Sequence, residues 1–205
     1  MLLEAEAAQE AIARNDHAWI PASTRPDFAG DGYTVAGPDI GEVIPADSVA
    51  ASSELRFDVS FDETGTYLVW IRAWTSGDEG DSVHVGLDEQ GATTASEITG
   101  FTGDTWSWSN LRANGVVAVL VISDPGVHTV RVWMREDGFL LDRLILTKRP
   151  DYRPDGRGPR PSGRVAFGST TPLAASGDGT DEGVGFVPSG ATSGLRSNRS
   201  DGEDG

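Results

Sequence analysis

Two stretches of this chain alternate their side chains with a period of two, and that alternation constrains the fold more than any other feature. Gly65–Trp74 puts Tyr67, Val69, Ile71 and Ala73 on one side and Leu68, Trp70, Arg72 and Trp74 on the other. Gly126–Gly138 sets Val130, Val132 and Met134 against Thr129, Arg131 and Trp133, and Phe139–Thr147 follows as a further apolar run. A period of two belongs to sheet strands, and β-branched and aromatic residues suit a pleated surface. Each stretch starts at a Gly, as strands leaving tight turns do. The aliphatic sides predict a core. The Trp/Arg side predicts either a packing surface or a binding surface.

The rest of the first 150 residues repeats the pattern in shorter pieces. Glu54–Phe61 alternates with Leu55, Phe57, Val59 and Phe61 inward. Leu2–Glu6, Tyr33–Ala36, Ser82–Asp88, Thr105–Ser109 and Gly115–Ile122 read as further strands, and Ala7–Arg14 as a helical turn. About nine short strands with almost no helix predict an all-β sandwich. From Lys148 onward the composition shifts. Residues 150–161 are rich in Pro, Gly and Arg, and 162–205 in Gly, Ser, Thr and Asp. Such a segment buries too little apolar surface to offset chain entropy. The expected organisation is one domain at 1–149 and a linker or disordered tail at 150–205.

Charge and composition exclude several functions. The net charge is −16, and Lys148 is the one lysine among 16 basic residues. That pattern fits a high-salt habitat or codon bias toward Arg; both stay open. It does not fit nucleic acid, which needs a basic footprint. There is no cysteine for disulfides or thiolate metal sites, and no apolar run of membrane-spanning length. Met1–Glu6 lacks the regions of a secretory signal, which leaves an intracellular protein or a piece of a longer chain, and the second is the expectation here.

A family resemblance rests on an ordered set of motifs: Glu4-Ala5-Glu6, Gly65-Thr66-Tyr67 with Arg72, Trp106-Ser107-Trp108, Gly126-Val127-His128-Thr129, and Leu141-Asp142-Arg143-Leu144-Ile145-Leu146. Over residues 2–149 the chain resembles the carbohydrate-binding modules of families 6 and 35 and their galactose-binding-like relatives. The resemblance implies a jelly roll with a structural calcium ion. The ligands it implies are Glu4, Glu6 and Asp142, with the Gly30-Asp31-Gly32 loop, and so Asp31, adding a carbonyl. Calcium seeks six to eight oxygens, and a carboxylate in the apolar last strand needs a partner. The resemblance also implies a glycan site in the end loops, with Tyr33 and Trp106 or Trp108 stacking on a sugar ring. Family 6 modules often have an Asn just before the last strand. Leu140 stands there instead, leaving Arg135 and Glu136 as expected polar contacts. Asp137-Gly138 reads as a hairpin turn.

No nucleophile–base set or phosphate loop has supporting context, so the chain is not expected to be an enzyme. His17, His84 and His128 lack metal-ligand spacing. The acidic loop Gly77-Asp78-Glu79-Gly80-Asp81 reads as a solvated turn, with a second calcium site as the other reading. Two functions follow. One is an extracellular or cell-surface, non-catalytic module that targets a larger protein to a polysaccharide. The alternative is a structural or adhesion domain without a sugar ligand, contacting a neighbour through Trp70, Arg72, Trp74, Arg131 and Trp133.

Overall fold

The computed structural model describes residues 1–76 and 80–160. Gly77, Asp78 and Glu79 of the acidic loop and residues 161–205 of the expected tail lie outside the described residues. The described chain forms thirteen strands: β1 (Leu2–Glu4), β2 (Glu10–Ile12), β3 (Ala18–Ala22), β4 (Tyr33–Gly37), β5 (Glu54–Phe61), β6 (Gly65–Trp74), β7 (Val83–Leu87), β8 (Ala95–Thr99), β9 (Trp106–Ser109), β10 (Leu111–Arg112), β11 (Val119–Ile122), β12 (Gly126–Met134) and β13 (Leu140–Thr147).

They make two antiparallel sheets, as the jelly-roll reading requires. Sheet A is built on β6 beside β13. Strands β4 and β1 pair in turn along the free side of β13, β3 pairs with β4, and β11 and β9 pair along the free side of β6. Sheet B runs β10-β8-β7-β12-β5-β2. The two alternating stretches thus part company: β6 belongs to sheet A and β12 to sheet B. Their aliphatic sides meet. Val69, Ile71, Leu144 and Leu146 from sheet A pack with Phe57, Val85, Val130, Val132 and Met134 from sheet B in one core.

The outward sides also separate. Trp70, Arg72 and Trp74 lie on the outside of sheet A, Arg131 and Trp133 on the outside of sheet B, so the single Trp/Arg face expected from the alternation is two opposite faces. The elements differ from expectation at several places. Strand β1 stops at Glu4, and Ala5–Ala7 is a 3-10 turn. The stretch expected as a helical turn contains β2, paired with β5. Strand β3 forms despite Pro21, which an edge strand tolerates because one side of its backbone needs no donor. Strand β8 lies where no strand was expected.

Residues 150–160 do not pair in a sheet, yet they lie along the outside of sheet A. The Gly156 carbonyl accepts Arg72 Nε and Trp108 Nε1, both at 3.0 Å. Arg143 donates to the carbonyls of Arg157 and Pro159. Tyr152 packs on the small outer cluster of Leu2, Trp70 and Ile145. This strap belongs to the folded unit, where the sequence reading had ended the domain at 149.

Candidate functional site

Two groups of side chains have chemistry beyond packing. The first is acidic. β1 pairs with β13 so that Glu4 lies opposite Arg143, next to Asp142. Asp142 is fully buried; its Oδ2 accepts Arg72 Nη1 at 2.6 Å and its Oδ1 accepts the Ala29 N–H at 2.9 Å. Glu4 is paired with Arg143, whose Nε lies 2.9 Å from Oε2. Glu6 Oε1 accepts the Asp31 N–H at 3.0 Å, while Glu6 Oε2 is buried without a hydrogen-bond partner. The exposed Asp31 contributes its backbone rather than its carboxylate to this contact.

Burial raises the pKa of all three carboxyls above the ordinary carboxylate range. For Asp142 the Ala29 N–H and Arg72 oppose that rise; for Glu4, Arg143 does; for Glu6, the charges of Glu4 and Asp142 add to it. Gly30 explains the approach of the loop. Its φ is +67°, and a Cβ there would sit 2.5 Å from Glu6 Oε1 and 3.2 Å from Glu4 Oε2. Among the described residues no three His, Asp or Glu side chains converge as a ready-made ligand set. Arg72 and Arg143 already stand on the oxygens of Asp142 and Glu4. With three carboxylates against two guanidiniums, one negative charge and the free Glu6 oxygen remain.

The second group is aromatic. Trp74 ends β6 and lies opposite Trp106 at the start of β9. Trp106 meets Trp74 edge-on at 5.7 Å and Tyr33 at 5.1 Å, and Phe28 lies 5.9 Å from Tyr33. Arg25 lies over the Trp74 ring at 4.8 Å and Arg72 over Trp106 at 5.4 Å. The expected ligand-facing rings are inside this cluster. Tyr33 is 2% exposed, its hydroxyl beside Thr24 Oγ1 and accepting the Arg25 N–H. Trp106 is 8% exposed and donates Nε1 to the Pro26 carbonyl at 2.8 Å. Neither presents a free ring face. The half-buried Phe28, Trp74 and Arg25 form the rim, and Trp74 Nε1 has no hydrogen-bond partner.

Trp108 stands apart from this cluster. It packs against Trp70 and Ile145, with the strap's Gly158 against its ring. Arg135 and Glu136 are spent on structure: they pair with each other, Arg135 donates to Ser82 Oγ, and Glu136 accepts the Asp81 N–H and the Ser82 hydroxyl, fastening the 80–82 turn.

Asp137 has a role its Asp-Gly context concealed. Its carboxylate accepts the N–H groups of Ile40, Gly41 and Glu42 and lies 3.2 Å from His17 Nε2, tying the 40–42 loop to the sandwich. Burial raises its pKa, but these hydrogen bonds outweigh burial and hold it below the usual range.

The sequence matches the family described as the glycosyl hydrolase family 115 C-terminal domain over residues 3–161. A protein of Formosa agariphila, named only as uncharacterized protein P23, is 32% identical over 113 residues, 51% of this chain and 27% of that protein. The chain therefore spans little more than a quarter of the curated relative it matches. The fold is similar to the CBM35 of Paenibacillus barcinonensis, with a TM-score of 0.50 and 16% identity over 73% of this chain and 99% of that one. It is equally similar to part of the Arthrobacter globiformis T6 isomalto-dextranase complexed with panose, with a TM-score of 0.50 and 16% identity over 71% of this chain and 23% of the enzyme. At such identity the structural likenesses establish the shared fold.

Proposed function

The chain belongs to the glycosyl hydrolase family 115 C-terminal domains, and from that premise we propose that it is a non-catalytic, carbohydrate-binding part of a larger carbohydrate-active protein, holding that protein on a polysaccharide outside the cell. The ring cluster at the end of sheet A carries this reading. Tyr33 and Trp106 form its floor, while Trp74, Phe28 and Arg25 line its open rim. Aromatic faces cover the apolar side of a pyranose, and nearby donors take its hydroxyls. The half-buried Arg25, over the Trp74 ring, is such a donor. Affinity electrophoresis through gels containing soluble polysaccharides tests the reading. At least one polysaccharide is expected to retard the chain, and Trp74→Ala to remove most of the retardation. Free migration through every gel would contradict it.

The proposal includes a structural calcium ion held by Glu4, Glu6 and Asp142 with a carbonyl of the 30–32 loop. The free Glu6 oxygen, the bare Cα of Gly30 and the uncompensated negative charge support it. Binding requires Glu4 to exchange Arg143 for the cation. A ligand bound only by the folded state adds about 2.7 kcal/mol at a hundredfold excess over Kd. For a domain of this size that raises the melting temperature by roughly 5–10 °C over chelator-treated protein. The pH dependence has a definite sign. Raised carboxyl pKa values mean that these groups contribute stability below their unfolded values and lose it as pH rises through their folded values. Calcium needs the deprotonated forms, so its stabilising effect is expected to be largest at pH 7 and to shrink toward pH 4.5. A melting temperature indifferent to saturating calcium at pH 7 removes the ion from the proposal.

The interaction-domain alternative loses half of its expected surface, because the strap occupies the sheet A side of the Trp/Arg set.

A further inference from the structure

Beside the ring cluster, the outside of sheet A holds a groove of about 390 Å³, between the 108–117 stretch and the strap, with Trp70, Trp108, Asn110, Leu111, Val117 and Arg153 among its walls. Its volume falls in the range of small-molecule sites. Two polar groups in it have nothing to bind. Asn110 is 7% exposed, and its side-chain amide makes no hydrogen bond with the described residues. Trp70 is equally buried, and its indole N–H is also without a partner. Beside Asn110 the wall is apolar and open, with Leu111 44% and Val117 37% exposed.

We propose that this groove is a second glycan-binding surface for a neutral oligosaccharide. An apolar peptide would bury the Asn110 amide with its polar atoms still unpaired, which is costly. A polyanion would approach a chain of net charge −16. Among the described residues the groove wall carries no carboxylate, and the one cation among them, Arg153, lies 5.7 Å over Trp70 and donates to the carbonyls of Pro150 and Tyr152. A pyranose ring offers an apolar face to Trp108 and Leu111 and hydroxyls to Asn110. Trp106 and Trp108 stand two residues apart on the same side of β9, about 6.6 Å along the strand, so the groove lies on the same face of sheet A as the ring cluster.

This inference rests on the carbohydrate-binding reading above, and one experiment separates the two. Calorimetric titration of the 205-residue chain with cellohexaose and with xylohexaose is compared among wild type, Asn110→Ala, Leu111→Asp and Trp74→Ala, with near-ultraviolet circular dichroism reporting the fold of each. The expected result is binding of at least one probe by wild type, weakened about tenfold or more by Asn110→Ala and by Leu111→Asp. Leu111 is exposed, so its variant keeps the fold even where Asn110→Ala disturbs it. Wild-type affinity in Leu111→Asp, with loss in Trp74→Ala, overturns the groove and leaves the ring cluster standing. Loss in Leu111→Asp without loss in Trp74→Ala supports the groove and overturns the ring cluster. No heat with either probe overturns the groove as a site for neutral oligosaccharides.

Discussion

On the outside of sheet A, Arg72 and Arg143 are 4% and 3% exposed; on the outside of sheet B, the Arg131 and Arg56 side chains keep 12% and 28% of their surface in water. Both faces come from the same alternation of Trp and Arg with aliphatic residues. On sheet A each arginine joins a carboxylate, the buried Asp142 or the half-buried Glu4, to carbonyls of the strap. On sheet B the buried Glu54 is shared among Arg14, Arg56 and Arg131, and Arg131 also reaches the exposed Glu89. An outward arginine is therefore a structural pin where a segment covers it and a replaceable surface charge where none does.

Arg72→Ala is the severest way to break this contrast. It leaves Asp142 buried without its guanidinium, which costs about 3–5 kcal/mol, whereas Arg131→Ala leaves Glu54 two other partners and costs under about 1 kcal/mol. Urea unfolding of both variants measures the difference, and equal losses would erase the distinction between the faces. Next in size is the strap. A chain ending at Lys148 loses the contacts of Tyr152 with the outer cluster and the acceptors of Arg72, Trp108 and Arg143, and is expected to lose about 2–4 kcal/mol. Unchanged stability would make the strap an ornament on sheet A.

The smallest effect belongs to sheet B. The hydrogen bond to Asp88, followed by the Asp124 carbonyl, raises the His128 pKa. A raised His contributes stability below its unfolded value of about 6.5 and loses it as pH rises through the folded value. His128→Asn is thus expected to cost under about 1 kcal/mol at pH 6 and almost nothing of this contribution at pH 9. A loss that grows with pH reverses the sign and rules out the pair as its source.

The core strands were legible because period-two alternation reports directly which residues share a side: β5, β6, β7, β12 and β13 lie within about two residues of their expected places. The same period says nothing about which sheet a strand joins, so Trp70 and Trp133 were indistinguishable before the pairing was known. Strand β3 was hidden by Pro21, and β2 by its Ala-rich surroundings. The strap was hidden for a different reason. It docks through its own backbone carbonyls, at Gly156, Arg157 and Pro159, and a carbonyl leaves no trace in residue identity. In the acidic cluster, Asp142 was legible as a carboxylate in an apolar strand that needs a metal or an arginine; which arginines reach it was not. Tyr33 with Trp106 or Trp108 was legible as a set of candidate rings, but the burial of Tyr33 and Trp106 depends on Phe28, Trp74 and Arg25 closing over them, contacts brought together from separate loops and strands.

Amide hydrogen exchange in the presence of a polysaccharide that retards the chain tests the account most directly, because it locates the ligand without any substitution. The account predicts added protection at residues 24–33 and 104–110, around the ring cluster and along β9, with strands β5 and β12 of sheet B unchanged. Protection confined to sheet B, or none anywhere while the polysaccharide is bound, would contradict it.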